Sequence, residues 1–474
     1  MDIDVAKEKG LRSNGGGETE GENAVRGVRM SRWSMSYFTA AVVSLLLAEM
    51  VWASGLANPL ENIGGAWVLV GVHLTAIGFL TLLLMGALHQ FIPVLTETEL
   101  ASQNLSGLTF FTVSLGLLGM VVGFLAIPAA VPGGVLPSVP WLLPSGGTLV
   151  VLGVITALIN LGITFKRAWP WSLSAWLAAT GLTYLLITVL VGLTFALSLA
   201  APHLFSSQEL DVMRGRGLAS HVIGGVGGWL TLTAMGVSYK LLAMFTLSDE
   251  HRGIWGWMAY LATALGIATA WVARWLGANR VADVAWAVIL AGLSIYLWDL
   301  HVLYRQRKRR QLELNARYAI VPFGFLSALI LVAAATVRLG GPLTRLDITL
   351  TFMALYGWLG GLALTQLYKI IPFLTWLNQF GKRLGTGRTP RVQDLVNEPR
   401  DRYAYFAYFA AIAAGSVFLY LGWFAEFRVV LALAFVATLD IARALHRAAH
   451  PKIRDVSSDG IYRQSSEAKP QKAR

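Results

Sequence analysis

Four side chains are able to do chemistry in places where little else can. His73 opens the string "HLTAIGFLTLLLMGALHQFIPVL" (73–95), and His221 lies in "SHVIGGVGGWLTLTAMGVSYKLLAMF". Glu49 sits in "LLLAEMVW", and Met353 in "LTFMALYGWLG". An ionisable group inside so apolar a run is costly unless it meets a partner, a cavity or a pathway, so it marks function by default. A neutral imidazole ligates metals and carries protons, a carboxylic acid moves protons, and a thioether is a soft metal ligand.

The elements that must position them are membrane helices. Of 474 residues, 55% are hydrophobic and 14% charged, with a mean hydropathy of +0.59. Soluble proteins carry roughly a quarter charged residues. Apolar stretches of about 20 residues, enough to cross a hydrocarbon core of roughly 30 Å, recur throughout. The pattern predicts an all-α polytopic protein with twelve spans between residues 34 and 446, from 34–54 to 425–446. The 48 glycines and 17 tryptophans suit close helix approach and interfacial anchoring. The absence of cysteine excludes disulfides and thiolate metal sites.

Charge sets the direction. Lys166 and Arg167 close the fourth span, "RQRKRR" (305–310) follows the eighth, and Lys382, Arg383, Arg388 and Arg391 follow the tenth. These fall on one side, which the positive-inside rule makes cytoplasmic, so both termini are expected in the cytoplasm of a cell (inner) membrane protein. The net charge of +12 then reads as inner loops facing anionic lipid, not as nucleic-acid binding. Residues 1–33 and 447–474 are polar, without the apolar core of a signal peptide, and read as disordered cytoplasmic tails flanking the membrane domain at 34–446.

Three segments align without gaps: "GFLTLLLMGALHQFIPVL" from Gly78, "GWLTLTAMGVSYKLLAMF" from Gly228 and "GWLGGLALTQLYKIIPFL" from Gly357. In each, glycine precedes an aromatic residue and leucine. Eleven residues after the glycine comes His89, Tyr239 or Tyr368, then Gln90, Lys240 or Lys369. The copies fall on spans two, six and ten and run in the same direction. This predicts three parallel four-helix arcs about a pseudo-threefold axis along the membrane normal.

Twelve helices in three such arcs, with histidines on helices two and six, resemble subunit I of the heme–copper oxidases, in its divergent subunit I-like members. The strings around His73 and His221, with "LYKIIPFLTWL", carry the resemblance. It implies a helix-two histidine on a low-spin heme in the outer half of the membrane, a role that falls to His73. It also implies respiratory partner subunits and a cytochrome or quinol donor. The departures are equally specific. Oxygen-reducing members need a His-His pair on helix seven and two histidines on helix ten, whereas "IWGWMAYLATALGIATAWVARW" and "LDITLTFMALYGWLGGLALTQLYKIIPFL" contain none. The expectation is therefore heme b without copper or a complete heme–copper centre, acting in electron transfer or diatomic-gas binding, not in oxygen reduction to water. The alternative is a non-enzymatic subunit or transporter that keeps the twelve-helix shell without cofactors.

Against that resemblance, His73 and His221 are the expected heme or metal ligands. Gly78 and Thr81, below His73, are small enough to leave room for a flat macrocycle. Counted from the repeat aromatics, the two histidines differ by two positions, about 200° around a helix, so they are not equivalent by symmetry. Met353 lies near where a helix-ten histidine would stand and is a candidate axial ligand. Glu49 is a candidate for a proton path or a propionate network. His89 reads as inner-layer packing, and Lys240 and Lys369 as side chains snorkelling to the inner headgroups. His203, His251, His301, His446 and His450 read as interfacial.

Overall fold

The computed structural model describes residues 31–96, 98–127, 133–167, 169–249, 253–336, 344–381 and 389–451. The two expected tails lie almost wholly outside this set, as do His251, Lys382, Arg383 and Arg388. Among the described residues there is no strand, and twelve helices are long and apolar enough to cross a membrane. They are α1 (Ser34–Ser54), α2 (Ala66–Pro93), α3 (Gln103–Leu125), α4 (Leu142–Lys166), α5 (Leu173–Ala200) and α6 (Ser207–Thr246). The second half comprises α7 (Ile254–Leu276), α8 (Asn279–Arg305), α9 (Leu314–Ala335), α10 (Arg345–Phe380), α11 (Glu398–Leu421) and α12 (Phe424–Ala449). Each expected span has become one helix of a multi-pass membrane protein. Helix α6 begins well before its apolar run, because Ser206 and Glu209 form a reciprocal cap and a polar turn containing Arg214 and Arg216 follows. That turn is helical without being hydrophobic, so a hydropathy pattern misses it.

The three repeat glycines do the same job. A Cβ on Gly78 would fall 2.6 Å from Ser44 Cβ of α1, and one on Gly228 would fall 2.3 Å from Tyr184 Cγ of α5. On Gly357 it would fall 2.5 Å from Phe325 Cδ1 of α9. In every arc the first helix crosses the second at this position, and only hydrogen fits the crossing.

Around each glycine the helix widens into a π turn: Leu74–Thr81 in α2, Ile223–Thr231 in α6 and Met353–Gly360 in α10. All three end three residues after the repeat glycine. Thr81 Oγ1 donates to Ala76 O and Thr231 Oγ1 to Val226 O, both at 2.8 Å, so these hydroxyls serve carbonyls in the widened turns. The three π turns meet each other pairwise, which puts α2, α6 and α10 at the centre.

Inward of the π turns the central helices share a coiled-coil-like seam. Residues two, six, nine and thirteen after the glycines follow the 4-3-4 spacing that turns one stripe of each helix toward a common axis. The first layer is Leu80, Leu230 and Leu359, and the last is Phe91, Leu241 and Ile370.

Outside the axis two further features repeat. Twelve residues before Gly228 and Gly357 stand Arg216 and Arg345, whose guanidinium groups donate to Trp275 O and Leu421 O. There they cover the left-handed glycines Gly277 and Gly422 that end α7 and α11. A cation at a helix C-terminus meets its unpaired carbonyls and the negative end of its dipole. Eleven residues after the repeat glycines, His89, Tyr239 and Tyr368 each pack on a tyrosine of another helix: Tyr37 of α1, Tyr296 of α8 and Tyr405 of α11.

Candidate functional site

His73 is the last residue of regular α-helix before the π turn of α2, and His221 is the last but one before that of α6. An extra residue in the turn rotates everything above it, so these turns set where the two rings point. His73 Nδ1 lies 2.8 Å from Leu69 O, and His221 Nδ1 lies 3.1 Å from Thr188 O of α5. A carbonyl only accepts, so each Nδ1 carries the proton and each Nε2 keeps its lone pair. Neither Nε2 has a hydrogen-bond partner among the described residues. His73 packs against Phe124 of α3 at 4.9 Å between ring centroids, and His221 against Phe195 of α5 at 6.0 Å. His221 stands over Gly192, where a Cβ would come within 3.0 Å of its Cε1. Both imidazoles are half-buried, and α5 from Leu186 to Leu193 is nowhere fully buried.

The room expected beside Gly78 and Thr81 is taken. Ser44 and Leu117 close on Gly78, and Thr81 Oγ1 accepts from Trp229 Nε1 at 2.8 Å. Between α1, α2 and α10 to α12, polar and aromatic side chains also fill the bundle. Trp52 Nε1 donates to Tyr356 Oη at 2.8 Å, Thr75 Oγ1 pairs with the same Oη at 2.6 Å, and Tyr408 Oη donates to Tyr356 O. Glu49 is fully buried nearby, with Oε1 accepting from Thr438 Oγ1 at 2.9 Å and Oε2 unpartnered. Met353 is half-buried and begins the π turn of α10. Sequence reasoning missed Tyr356. Its only signal was its place directly before a repeat glycine, and an uncharged phenol in an apolar run draws no notice.

His89 has the same Nδ1 arrangement, on Met85 O at 2.8 Å, but it is fully buried with its ring stacked on Tyr37. Lys369 does not reach for headgroups as expected. It pairs with Glu313, which also takes Arg309 and a hydrogen bond from Gln393 Nε2 at 2.7 Å. Burial raises the Glu313 carboxyl, but the hydrogen bonds from Lys369 and Gln393 and the charges of Lys369 and Arg309 outweigh it. The net result holds the carboxyl below the ordinary glutamate value. Next to it, Asp401 accepts from Tyr368 Oη at 2.8 Å and from Arg447 at 2.9 Å.

A heme, which the sequence resemblance implies, would find donors on a single side. Two imidazoles with Nδ1 anchored to carbonyls and Nε2 open are the state in which histidine binds iron. They face the side of α3 and α5, while the α1 side of α2 is closed by Ser44 and the Tyr356 network. Among the described residues no three histidine, aspartate or glutamate side chains gather into a metal-binding group.

Fold and helix order define an integral membrane protein built of three four-helix arcs. A solved heme–copper terminal oxidase, seen as a dimer by cryo-EM, has the same architecture. It matches over 91% of this chain and 84% of that chain, with a TM-score of 0.54 and 12% identity. The fold is thus that of heme–copper oxidase subunit I, in a divergent sequence. No family model matches this sequence, and no curated protein does.

Proposed function

We propose that this chain is a membrane-embedded heme b protein of the heme–copper oxidase subunit I type, in which His73 and His221 would hold the heme, with no complete heme–copper centre. The observation that carries the reading is the pair itself: two imidazoles on different repeats, each with Nδ1 fixed by a carbonyl and Nε2 open. When bound, the heme would supply one-electron exchange. Leu69 O and Thr188 O hold the ring tautomers, and Phe124 and Phe195 fix the ring positions. A heme held by two imidazoles would suit electron transfer better than diatomic-gas binding. Met353 stays the alternative ligand from α10, and Glu49 the candidate carboxyl for a proton path or a propionate network. The reading sets the protein in a cell (inner) membrane with both termini cytoplasmic, served by respiratory partner subunits or a cytochrome or quinol donor. The basic ends of α4 and α8 support that orientation.

A second reading rests on the closed packing at Gly78 and Tyr356: a twelve-helix shell without cofactors, acting as a subunit or transporter. The reduced-minus-oxidised optical spectrum of the purified protein separates the two. Soret and α bands at about one heme per chain support the first, and a featureless spectrum from heme-replete cells supports the second.

A further inference from the structure

The seam between α2, α6 and α10 is not packed solid. Below the leucine layer, the position six residues after the repeat glycines carries Leu84, Ala234 and Ala363. Nine residues after, it carries Ala87, Val237 and Gln366. Three alanines in six places leave the axis underfilled, and a cavity of about 50 Å³ opens there. Leu241 and Ile370 line one end of it, in a layer they share with Phe91 and Phe245. Its wall is hydrocarbon apart from Ser238 and Gln366. Ser238 has its hydroxyl engaged, donating to Met235 O and pairing with Tyr296 Oη at 2.5 Å. Gln366 does not. It is 6% exposed, and neither Oε1 nor Nε2 has a partner.

An unpaired buried amide is expensive, because each unsatisfied group has lost its water without gaining a partner. At the equivalent positions of the other two repeats stand alanine and valine, so the threefold packing does not call for an amide here. A leucine of nearly the same volume would pack here without leaving a polar group unpaired. A cavity beside an amide with both a donor and an acceptor free is the form of a small binding site, mostly apolar with one polar anchor.

We propose that this axial cavity binds a small neutral molecule with an apolar body and one hydroxyl or amide head, anchored by Gln366. No ionisable group lines it, which excludes charged ligands. The volume admits a few heavy atoms, since one water needs roughly 10–15 Å³ on the same measure. Ethanol is the simplest member of the class.

Saturation-transfer NMR with ethanol, on the purified full chain in nanodiscs, tests this against two variants. Ala363→Phe fills the cavity from α10, and Gln366→Leu keeps side-chain volume while removing the anchor. Wild-type protein should transfer saturation to ethanol with saturable binding. Ala363→Phe should lose the signal, and Gln366→Leu should weaken it about fivefold or more with its thermal transition preserved. Equal transfer in all three proteins would mean partition into lipid and would overturn the proposal. Undiminished binding in Gln366→Leu would make the cavity merely apolar, and no saturable binding in the wild type would assign it to water. Either result rejects the amide-anchored site. Gln366→Leu, which changes side-chain volume little, keeps the test open should Ala363→Phe fail to fold.

Discussion

Trp229 Nε1 donates to Thr81 Oγ1 across 2.8 Å, and this bond ties the second repeat to the first at the axis. The aromatic one residue past a repeat glycine meets the residue three past the glycine of another repeat. Phe79 makes the corresponding approach to Gly360, where a Cβ would lie 3.2 Å from its Cε1. Two sides of a three-sided ring are thus explicit. Trp358, the third aromatic, is buried with its Nε1 unpartnered. Trp229→Phe should therefore destabilise the protein, while Trp358→Phe, which breaks no bond, should cost clearly less. Interhelical hydrogen bonds in membranes are worth about 0.6–2 kcal/mol, which sets the expected gap. Thermal unfolding of both variants in one detergent measures it, and equal losses would show that the Trp229 bond contributes nothing.

Close glycine contacts predict a second contrast, between two positions of α4. A Cβ on Gly146 would lie 2.6 Å from Met120 N and 2.7 Å from Gly116 O, backbone atoms of α3 that cannot turn aside. Nothing lies within 4 Å of a Cβ on Gly162. Gly146→Ala should force α3 and α4 apart at a cost of about 1–3 kcal/mol or more. Gly162→Ala should be neutral or gain about 0.5–1 kcal/mol by helix propensity. The midpoints of thermal or SDS unfolding decide between these signs.

The Glu313 cluster predicts a pH dependence. Its carboxyl is held below the ordinary glutamate value, so the folded chain binds that proton less readily than the unfolded chain does. The stability it contributes is complete above the unfolded value, about 4.3, and is lost as pH falls through the lower folded value. Wild-type protein should lose stability on acidification below about pH 4.5 more steeply than Glu313→Gln, which has no charge to lose. Parallel melting curves from pH 6 to 3 test the sign, and identical slopes would remove Glu313 from the account.

The twelve helices and their threefold order were legible because apolar length and a gapless Gly-aromatic-Leu repeat are direct sequence signals. The π turns were not. A widened turn is set by how three helices meet, and Leu74–Thr81 contains nothing that marks it. The role of Lys369 was also hidden, because its partner Glu313 comes from the segment before α9 and only tertiary packing joins them. His73 and His221 were visible as intramembrane imidazoles. Counting residues made them non-equivalent, however, and could not foresee that Thr188 O and Leu69 O would leave both Nε2 atoms open.

That openness gives the last prediction. If His73 and His221 are both axial ligands, removing either should leave iron with one protein imidazole, so the low-spin spectrum should be lost through lost heme or a high-spin shift. His89→Ala should leave it intact, since His89 belongs to the inner packing layer with Tyr37. A purely structural histidine could lower heme content by loosening the fold, so occupancy alone does not separate the cases. The glycine variants His73→Gly and His221→Gly do, because added imidazole can re-enter the vacated position. Low-spin bands that return with imidazole in both variants, at unchanged thermal stability, would establish ligation. A wild-type spectrum at full occupancy in His73→Gly or His221→Gly would withdraw that residue from the iron, and its Nδ1 bond to a carbonyl would then be a helix-packing contact alone.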